Sequence, residues 1–338
     1  MSIINISSSI IFLYIQFHNI NHLFFNILLV VVIMAFHPLI IGLASTQLSQ
    51  EERDFMGEYL PFGVILFSRN IESQAGLSAL CQAINDCYPN EYKPEILIDQ
   101  EGGRVQRLKP PLFKGWPAAG HFATLYQQDQ EGAKQACYQS NLEMAQTLKT
   151  CGITMNCTPV ADLYIEGANE VIGDRAYGQT PEQIADLAAM VIKAHAKAGV
   201  KTVIKHMPGH GRAMQDSHEA CPHISTPLDK LQQQDFACFK QLLQKTTKTE
   251  SGFAMTAHII YEAIDADHPA TCSPKLIGEI IRGMIGFNGL LMSDDPCMHA
   301  LQGNMETRAR RALNAGCDVV MHCNGNMEEM RKIANIFK

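Results

Sequence analysis

The feature that most constrains the fold is a series of eight short apolar runs, each with a polar residue at or just after its C-terminal end. Runs of this length are typical of strands that are buried in a parallel sheet. The runs are Leu39–Ala44, Gly63–Phe67, Glu95–Asp99, Ile153–Thr158, Lys201–His206, Phe253–Ala257, Gly289–Asp294 and Cys317–His322.

Helix-like stretches separate most of these runs. Leu77–Cys87 and Pro181–Ala196 carry apolar residues at helical spacing, and residues 49–52 (Ser-Gln-Glu-Glu) fit a capping box that opens a helix. Eight strands that alternate with helices over about 300 residues predict an α/β fold, a single (β/α)8 TIM barrel. A doubly wound open sheet is the alternative, because periodicity alone does not separate the two.

We expect one catalytic barrel over residues 37–338, because neither a repeat nor a low-complexity linker interrupts them. Residues 1–36 differ, since no charged residue precedes Glu51 and Leu23–Phe36 is almost wholly apolar. That run is shorter than the ~20 residues of a membrane span, and it lacks the positive region of a signal peptide. An upstream extension with translation from Met34, a membrane anchor and a cleaved signal all remain open, and we favour the extension.

Charge and cysteine content restrict the partners and the compartment. The chain has 27 Lys and Arg against 34 Asp and Glu, a net charge of −7. It therefore lacks the positive field on which non-specific nucleic-acid binding depends. Its 11 cysteines are scattered and include no Cys-x-x-Cys pair. They predict reduced thiols in a cytoplasmic protein rather than a disulfide framework.

Chemically capable side chains stand at or near the C-terminal ends of most runs. In a (β/α)8 barrel these ends converge on one mouth, where active sites are built. Helix N-capping would explain an isolated Asp or Asn there, but Lys and His are not favoured N-caps. The residues are Asp99, Asn156, Asp162, Lys205, His206, His258 and Asp294.

The loop after the fifth run predicts an acid/base catalyst. Gly209 and Gly211 permit backbone angles that other residues avoid, so the loop can fold over a ligand. Asp216 lies two residues from His218, where it can orient the imidazole ring and raise its pKa. The alternative for His218 is an exposed loop histidine beside a local turn.

The seventh run ends in two adjacent carboxylates that need different roles. Pro296 suits the first position of a helix, which predicts Asp295 as the N-cap. Asp294 is then left at the strand end, facing the mouth. There an ionised carboxylate can stabilise positive charge or attack an electrophilic carbon.

The segment 99–107, which begins at the last residue of the third run, contains two glycines and two arginines. The glycines allow a tight turn, and the arginines supply fork-shaped donors. Arg175 is a further arginine near the mouth, and a surface ion pair is the alternative for each. The segment lacks both the P-loop ending and the G-x-G-x-x-G spacing, so it indicates no phosphate-bearing cofactor.

Four motifs in this order resemble the family-3 glycoside hydrolases, and more narrowly the single-domain bacterial β-N-acetylhexosaminidases of peptidoglycan recycling. The motifs are Asp99–Arg107, Asp174–Gly178, Lys205–Gly211 with Asp216–His218, and Ser293–Asp295. The resemblance runs from about residue 37 to the end. It implies a TIM barrel and a retaining mechanism without a cofactor or metal. The implied substrate is terminal β-linked N-acetylglucosamine on anhydro-muropeptides, and we expect a monomer.

The resemblance also implies roles for single residues. Asp294 becomes the nucleophile of a glycosyl-enzyme intermediate, and His218, oriented by Asp216, becomes the acid/base in place of a second carboxylate. Charged side chains form a clamp that hydrogen-bonds the sugar. The clamp consists of Asp99, Arg107, Arg175, Lys205 and His206.

The chain departs from the family pattern in two places near the site. It has Pro296-Cys297 where the family commonly has Leu-Ser, and Met207 where the family commonly has Phe. Neither change touches an atom with an implied catalytic role. Pro296 is nevertheless close enough in sequence to shift Asp294.

Two other functions fit part of the pattern. A metal-dependent hydrolase would hold its ion with His206, His258 and Asp294, but the first run offers no His-x-His. Cys221 and His223 have no further ligand at a recognised spacing. A sugar-binding protein without catalysis would keep the clamp, but binding alone does not require the acid/base pair and the nucleophile.

Overall fold

The computed structural model describes residues 36–215, 221–298 and 300–338. All eight predicted runs contain strands, and every strand pairing in the ladders is parallel. Strands β1–β8 are His37–Gly42, Pro61–Leu66, Glu95–Ile98, Met155–Asn156, the two segments Lys201–Thr202 and Ile204–Met207, Phe253–Thr256, Leu290–Met292 and Val320–His322.

The strands close into a barrel. Hydrogen bonds join β8, β1, β2, β3, β4 and the first segment of β5 in that order, and the second segment of β5 pairs with β6, which pairs with β7. A parallel bridge between Met292 and Val319 links β7 to the start of β8. The predicted TIM barrel is therefore confirmed, because a doubly wound sheet would leave two open edges.

Helices follow most strands and pack outside the barrel. The predicted helix at Pro181–Ala196 is confirmed, and the other predicted helix ends at Asn85, before Cys87. Helices α1–α10 are Gln50–Tyr59, Gln74–Asn85, Ala119–Tyr126, Gln130–Thr150, Pro181–Ala198, Leu228–Gln233, Asp235–Lys245, the π-helix Leu276–Ile285, Met305–Ala315 and Met327–Ala334.

The capping box that starts α1 is present as predicted. Ser49 Oγ accepts a hydrogen bond from the backbone N of Glu52 at 3.2 Å, and Glu52 Oε2 accepts one from the backbone N of Ser49 at 2.8 Å. Two N–H groups that a helix start leaves without partners are thus satisfied reciprocally. This fixes where the chain turns from β1 into its first helix.

The predicted helix start at Pro296 is wrong, and Asp295 is not a helix N-cap. The next helix begins at Met305, with Asn304 as its N-cap. Arg308 Nη1 donates hydrogen bonds to the carbonyl O of Pro296 at 2.6 Å and to that of Met298 at 3.2 Å. Those carbonyls would have accepted the bonds of a helix that began at Pro296.

Two apolar layers hold the barrel. Successive strand residues point to opposite faces, so Leu39 and Ile41 face the helices while Ile40 faces the barrel interior. Side chains from every strand fill that interior, among them Ile65, Leu97, Met155, Val203, Met255, Leu290 and Met321. The filled interior leaves the C-terminal mouth as the place for a binding site.

The described residues bear on two expectations, free cysteine thiols and a membrane-spanning segment. All 11 cysteines are unpaired, and eight of them are buried. The described ranges contain no helix that is long and apolar enough to cross a membrane. Residues 1–35, which carry most of the apolar N-terminal segment, lie outside those ranges.

Candidate active site

The C-terminal ends of the strands open into a cavity lined by six of the eight residues that we predicted for catalysis or sugar binding. They are Asp99, Arg107, Arg175, Lys205, His206 and Asp294. The other two, Asp216 and His218, lie outside the described residues. The barrel thus gathers side chains that are up to 195 positions apart (294 minus 99) around one space.

Five of the cavity's charged residues form a continuous network, which we call the paired-charge cluster: Asp99, Glu101, Arg107, Arg175 and Lys205. Lys205 Nζ lies 2.9 Å from Asp99 Oδ1 and 2.6 Å from Glu101 Oε1. Arg175 makes two bonds of 2.8 Å to the two oxygens of Glu101. Arg107 Nη2 lies 3.1 Å from Asp99 Oδ2. Each carboxylate therefore faces two cations.

The pKa values show that this network is held in its charged form. Burial alone would raise the pKa of Asp99 and Glu101, but the adjacent cations outweigh it. The pKa of Asp99 falls well below its usual range, and that of Glu101 falls to about 2. The carboxylates in turn raise the pKa of Lys205 and Arg175 despite burial. These four groups are therefore charged at neutral pH.

The backbone between Asp99 and Arg107 is fixed by two amide side chains. Asn156 Oδ1 accepts from the backbone N of Gln100 at 2.9 Å, and Asn156 Nδ2 donates to the carbonyl of Gln100 at 2.8 Å. Gln100 Oε1 accepts from the backbone N of Arg107 at 2.9 Å. The predicted tight turn lies between them, with φ +99° at Gly102. The chain thus returns so that Arg107 meets Asp99.

His206 is held by a buried carboxylate. Its Nδ1 lies 2.7 Å from Asp162 Oδ2, and Asp162 Oδ1 accepts from the backbone N of His210 at 2.6 Å. Burial would raise the pKa of Asp162, but His206 and the further donors lower it. The ionised Asp162 therefore fixes the ring of His206 at the cavity wall.

Glycine is required at two positions of the loop after β5, and for a different reason at each. Gly209 has φ +146°, as predicted. Gly211 is outside the left-handed region, and it is required by space, because a Cβ there would lie 1.8 Å from the carbonyl O of Leu163. Arg212 Nε then bonds Asp235 Oδ2 at 2.7 Å. These contacts fix the chain just before the segment that carries Asp216 and His218.

Asp294 is held far more loosely than the paired-charge cluster. Its Oδ1 accepts from the backbone N of Asp295 at 2.8 Å. In the described parts of the chain it makes no ion pair within 4 Å. Burial would raise its pKa, but the charges of His258 and His206 lower it below the usual value. Asp294 is thus ionised while a lone pair stays available.

Both ring nitrogens of His258 lie within hydrogen-bond distance of neighbouring groups. Its Nδ1 lies 2.7 Å from Thr271 Oγ1, and its Nε2 lies 3.1 Å from the carbonyl O of Asp295. Burial lowers the pKa of its ring. Within the ranges that the structure describes, His206, His258 and Asp294 do not bring three ligand atoms within 4.8 Å of one another. This geometry favours hydrogen bonding by these residues over the metal site of a metal-dependent hydrolase.

Glu101 is a cavity residue that sequence reasoning did not assign to the site. One signal was available, because two buried cations, Lys205 and Arg175, need more than the single carboxylate of Asp99. Glu101 follows Asp99 by two residues, the spacing that returns a side chain to the same face of an extended chain. Asp162 was placed near the mouth, but its contact with His206 could not be foreseen.

Comparisons with known proteins find relatives over most of the chain. The sequence profile described as the glycosyl hydrolase family 3 N-terminal domain matches residues 28–338. A β-hexosaminidase of Alkalilimnicola ehrlichii is 40% identical over 295 residues, which span 86% of this chain and 82% of the relative.

Solved structures show the same likeness in three dimensions. NagZ from Neisseria gonorrhoeae in complex with N-trifluoroacetyl-D-glucosamine superposes with a TM-score of 0.82 at 33% identity, over 90% of this chain and 86% of that one. A structure of the same protein in complex with a zinc ion gives a TM-score of 0.80 at 32% identity, over 90% and 85% of the two chains.

Proposed function

The chain belongs to the family-3 glycosyl hydrolases and is a glycosidase of the β-hexosaminidase type, and from this premise we propose its substrate and mechanism. The protein is a retaining exo-β-N-acetylglucosaminidase. It removes terminal β-linked N-acetylglucosamine from anhydro-muropeptides during peptidoglycan recycling, through a covalent glycosyl-enzyme intermediate. It acts in the cytoplasm as a monomer, and residues 37–338 form its catalytic barrel.

The observation that carries the mechanism is the state of Asp294. Its carboxylate is ionised, lines the cavity and is paired with no cation in the described residues. An ionised carboxylate that spends no lone pair on an ion pair is suited to attack an anomeric carbon. Asp294 therefore displaces the leaving-group oxygen, and a bond forms between its carboxylate oxygen and the sugar carbon.

Proton transfer is assigned to His218, which lies outside the described residues together with Asp216. His218 protonates the glycosidic oxygen as the bond to it breaks, and Asp216 orients the ring. The same imidazole then takes a proton from water, and the resulting hydroxide releases the sugar from Asp294. The close approach of Gly211 to Leu163 and the bond between Arg212 and Asp235 support this role, because they hold the preceding chain near the mouth.

The paired-charge cluster and His206 form the sugar clamp. Asp99, Arg107, Arg175, Lys205 and His206 line the cavity with charged donors and acceptors. Because their ion pairs are already formed, the clamp loses little side-chain freedom when hydroxyl groups replace water. Charge-assisted hydrogen bonds to a sugar are stronger than neutral ones.

The N-acetylglucosamine assignment is supported by the relatives. The curated relative from Alkalilimnicola ehrlichii is named a β-hexosaminidase, and the gonococcal NagZ binds N-trifluoroacetyl-D-glucosamine. A sugar-binding protein without catalytic activity would have the same clamp. It would have no use for the unpaired carboxylate of Asp294.

The deciding experiment is release of a chromogenic phenol from its β-N-acetylglucosaminide, beside the β-glucoside, without added metal. We expect the parent to turn over the N-acetyl sugar, and Asp294→Ala to lose at least about 10⁴-fold in kcat while still binding N-acetylglucosamine. Added azide should restore part of the variant's turnover, because it attacks the carbon that Asp294 no longer reaches.

Asp295→Ala is the matched control, because it removes the adjacent carboxylate. Its loss in kcat should be much smaller, and azide should not restore it. Equal activity of Asp294→Ala and the parent would remove the nucleophile assignment. Sugar binding without turnover by the parent would indicate a binding protein instead.

A further inference from the structure

A second cluster of chemically capable side chains lies beside the cavity without lining it. Cys297 comes from the loop after β7, His322 ends β8, and Glu329 belongs to α10. One ligand atom from each lies within 4.8 Å of the other two. None of the three lines the cavity.

His322 has hydrogen-bonding capacity that the described residues do not satisfy. Its side chain is fully buried, and its Nε2 lies 2.9 Å from Glu329 Oε2. Its Nδ1 has no hydrogen-bond partner in the described part of the structure. A buried polar atom in that state costs about 1–3 kcal/mol unless something else binds it. The contact with Glu329 therefore leaves the second ring nitrogen of His322 without a partner among the described residues.

The thiol is the least expected member of the cluster. Cys297 is half-buried and forms no disulfide, and it stands at the position where the resembled family commonly has Ser. Its loop is anchored, because Asp295 Oδ1 accepts from the backbone N of Cys297 at 3.0 Å and from that of Cys323 at 3.3 Å. The thiol is thereby kept beside the end of β8, where His322 stands.

We propose that Cys297, His322 and Glu329 bind a divalent ion of the zinc class. A thiolate, an imidazole and a carboxylate are ligands that Zn²⁺ accepts in a four-coordinate site, with water in the fourth position. Mg²⁺ and Ca²⁺ prefer all-oxygen sites, so the thiol and imidazole select against them. On binding, the Cys297 thiol releases its proton to solvent and the sulfur bonds the ion, while His322 binds as the neutral ring.

The ion would cross-link three elements of the fold. It would tie the loop after Asp294 to the end of β8 and to α10. Because it binds the folded chain and not the unfolded one, it should raise the thermal unfolding midpoint. This site takes no part in the proposed hydrolysis, so its test is independent of turnover.

The test uses the full chain after chelator treatment and dialysis, titrated with Co²⁺ and then with Zn²⁺. We expect one equivalent of Co²⁺ to give a thiolate-to-cobalt charge-transfer band, which Zn²⁺ then removes. Cys297→Ser should abolish that band. Cys87→Ser, which changes another half-buried cysteine outside the cluster, should keep it.

Glu329→Gln provides a second variant on a partly exposed side chain. It should weaken Zn²⁺ binding about 10–100-fold, whether its carboxylate ligates the ion or holds the second ring nitrogen of His322. Circular dichroism spectra equal to the parent's would show that both variants fold.

Two results would overturn the proposal. One is the absence of a charge-transfer band from the parent. The other is stoichiometric Zn²⁺ binding that persists in both Cys297→Ser and Glu329→Gln and is displaced by N-acetylglucosamine. That second result would place the ion in the cavity, among the histidines of the mouth.

Discussion

The paired-charge cluster and Asp294 face the same cavity, yet they are held in opposite ways. In the cluster each carboxylate meets two cations at 2.6–3.1 Å, and all the charges are committed. Among the described residues Asp294 accepts one backbone hydrogen bond, and its pKa is lowered by His258 and His206, with neither of which it forms an ion pair. The difference suits the two proposed tasks, because binding gains from fixed charges and nucleophilic attack needs an uncommitted lone pair.

The largest expected effect on folding is at Glu101. Glu101→Gln leaves Lys205 and Arg175 short of one buried anion, so we expect a loss of about 3–5 kcal/mol in the free energy of unfolding. Urea denaturation measures it. Glu306→Gln, in an exposed i,i+4 pair with Arg310, is the control and should lose less than about 1 kcal/mol. Equal losses in the two variants would show that the cluster is not a buried network.

The acid dependence of stability should have the same origin. The folded pKa of Glu101 is about 2, below its ordinary value of 4.5. Such a group stabilises the folded state fully above the unfolded pKa, and this contribution is lost as the pH falls from about 5 to about 2. A shift of this size corresponds to roughly 3 kcal/mol. The parent should therefore lose more stability over this range than Glu101→Gln, and parallel curves would contradict the assignment.

A smaller effect is expected where a carboxylate orients a ring. Asp162→Asn keeps an acceptor but removes the charge beside His206 Nδ1. A charge-assisted bond contributes about 1.5–3 kcal/mol, so kcat/KM should fall roughly 10–100-fold. Asp174→Asn is the control, because Asp174 is half exposed and its ion pair in the described residues is with the similarly exposed Arg104. An unchanged kcat/KM in Asp162→Asn would show that His206 needs no such support.

The sequence predicted the positions of these groups better than their partners. Eight apolar runs were enough to predict the strands and an α/β fold, because run length and a polar residue at each strand end are local properties. Closure into a barrel rather than an open sheet depends on pairing between distant strands, and the runs alone did not separate the two. The bonds between Arg175 and Glu101, 74 residues apart, depend on how β3 and the loops after β4 are placed. Asp295 was mistaken for an N-cap because its second donor, the N–H of Cys323, is 28 residues away.

The smallest expected effect on folding is at the residue with the largest proposed effect on turnover. Asp294→Asn keeps an Oδ1 that can accept from the backbone N of Asp295, and it breaks no ion pair among the described residues. What it loses is the carboxylate charge, whose pKa burial raises and the neighbouring His258 and His206 lower. We therefore expect the free energy of unfolding in urea to change by no more than about 1 kcal/mol, against the several lost by Glu101→Gln. A loss equal to that of Glu101→Gln would mean that Asp294 is a structural charge like those of the cluster, and its lone pair would no longer distinguish it.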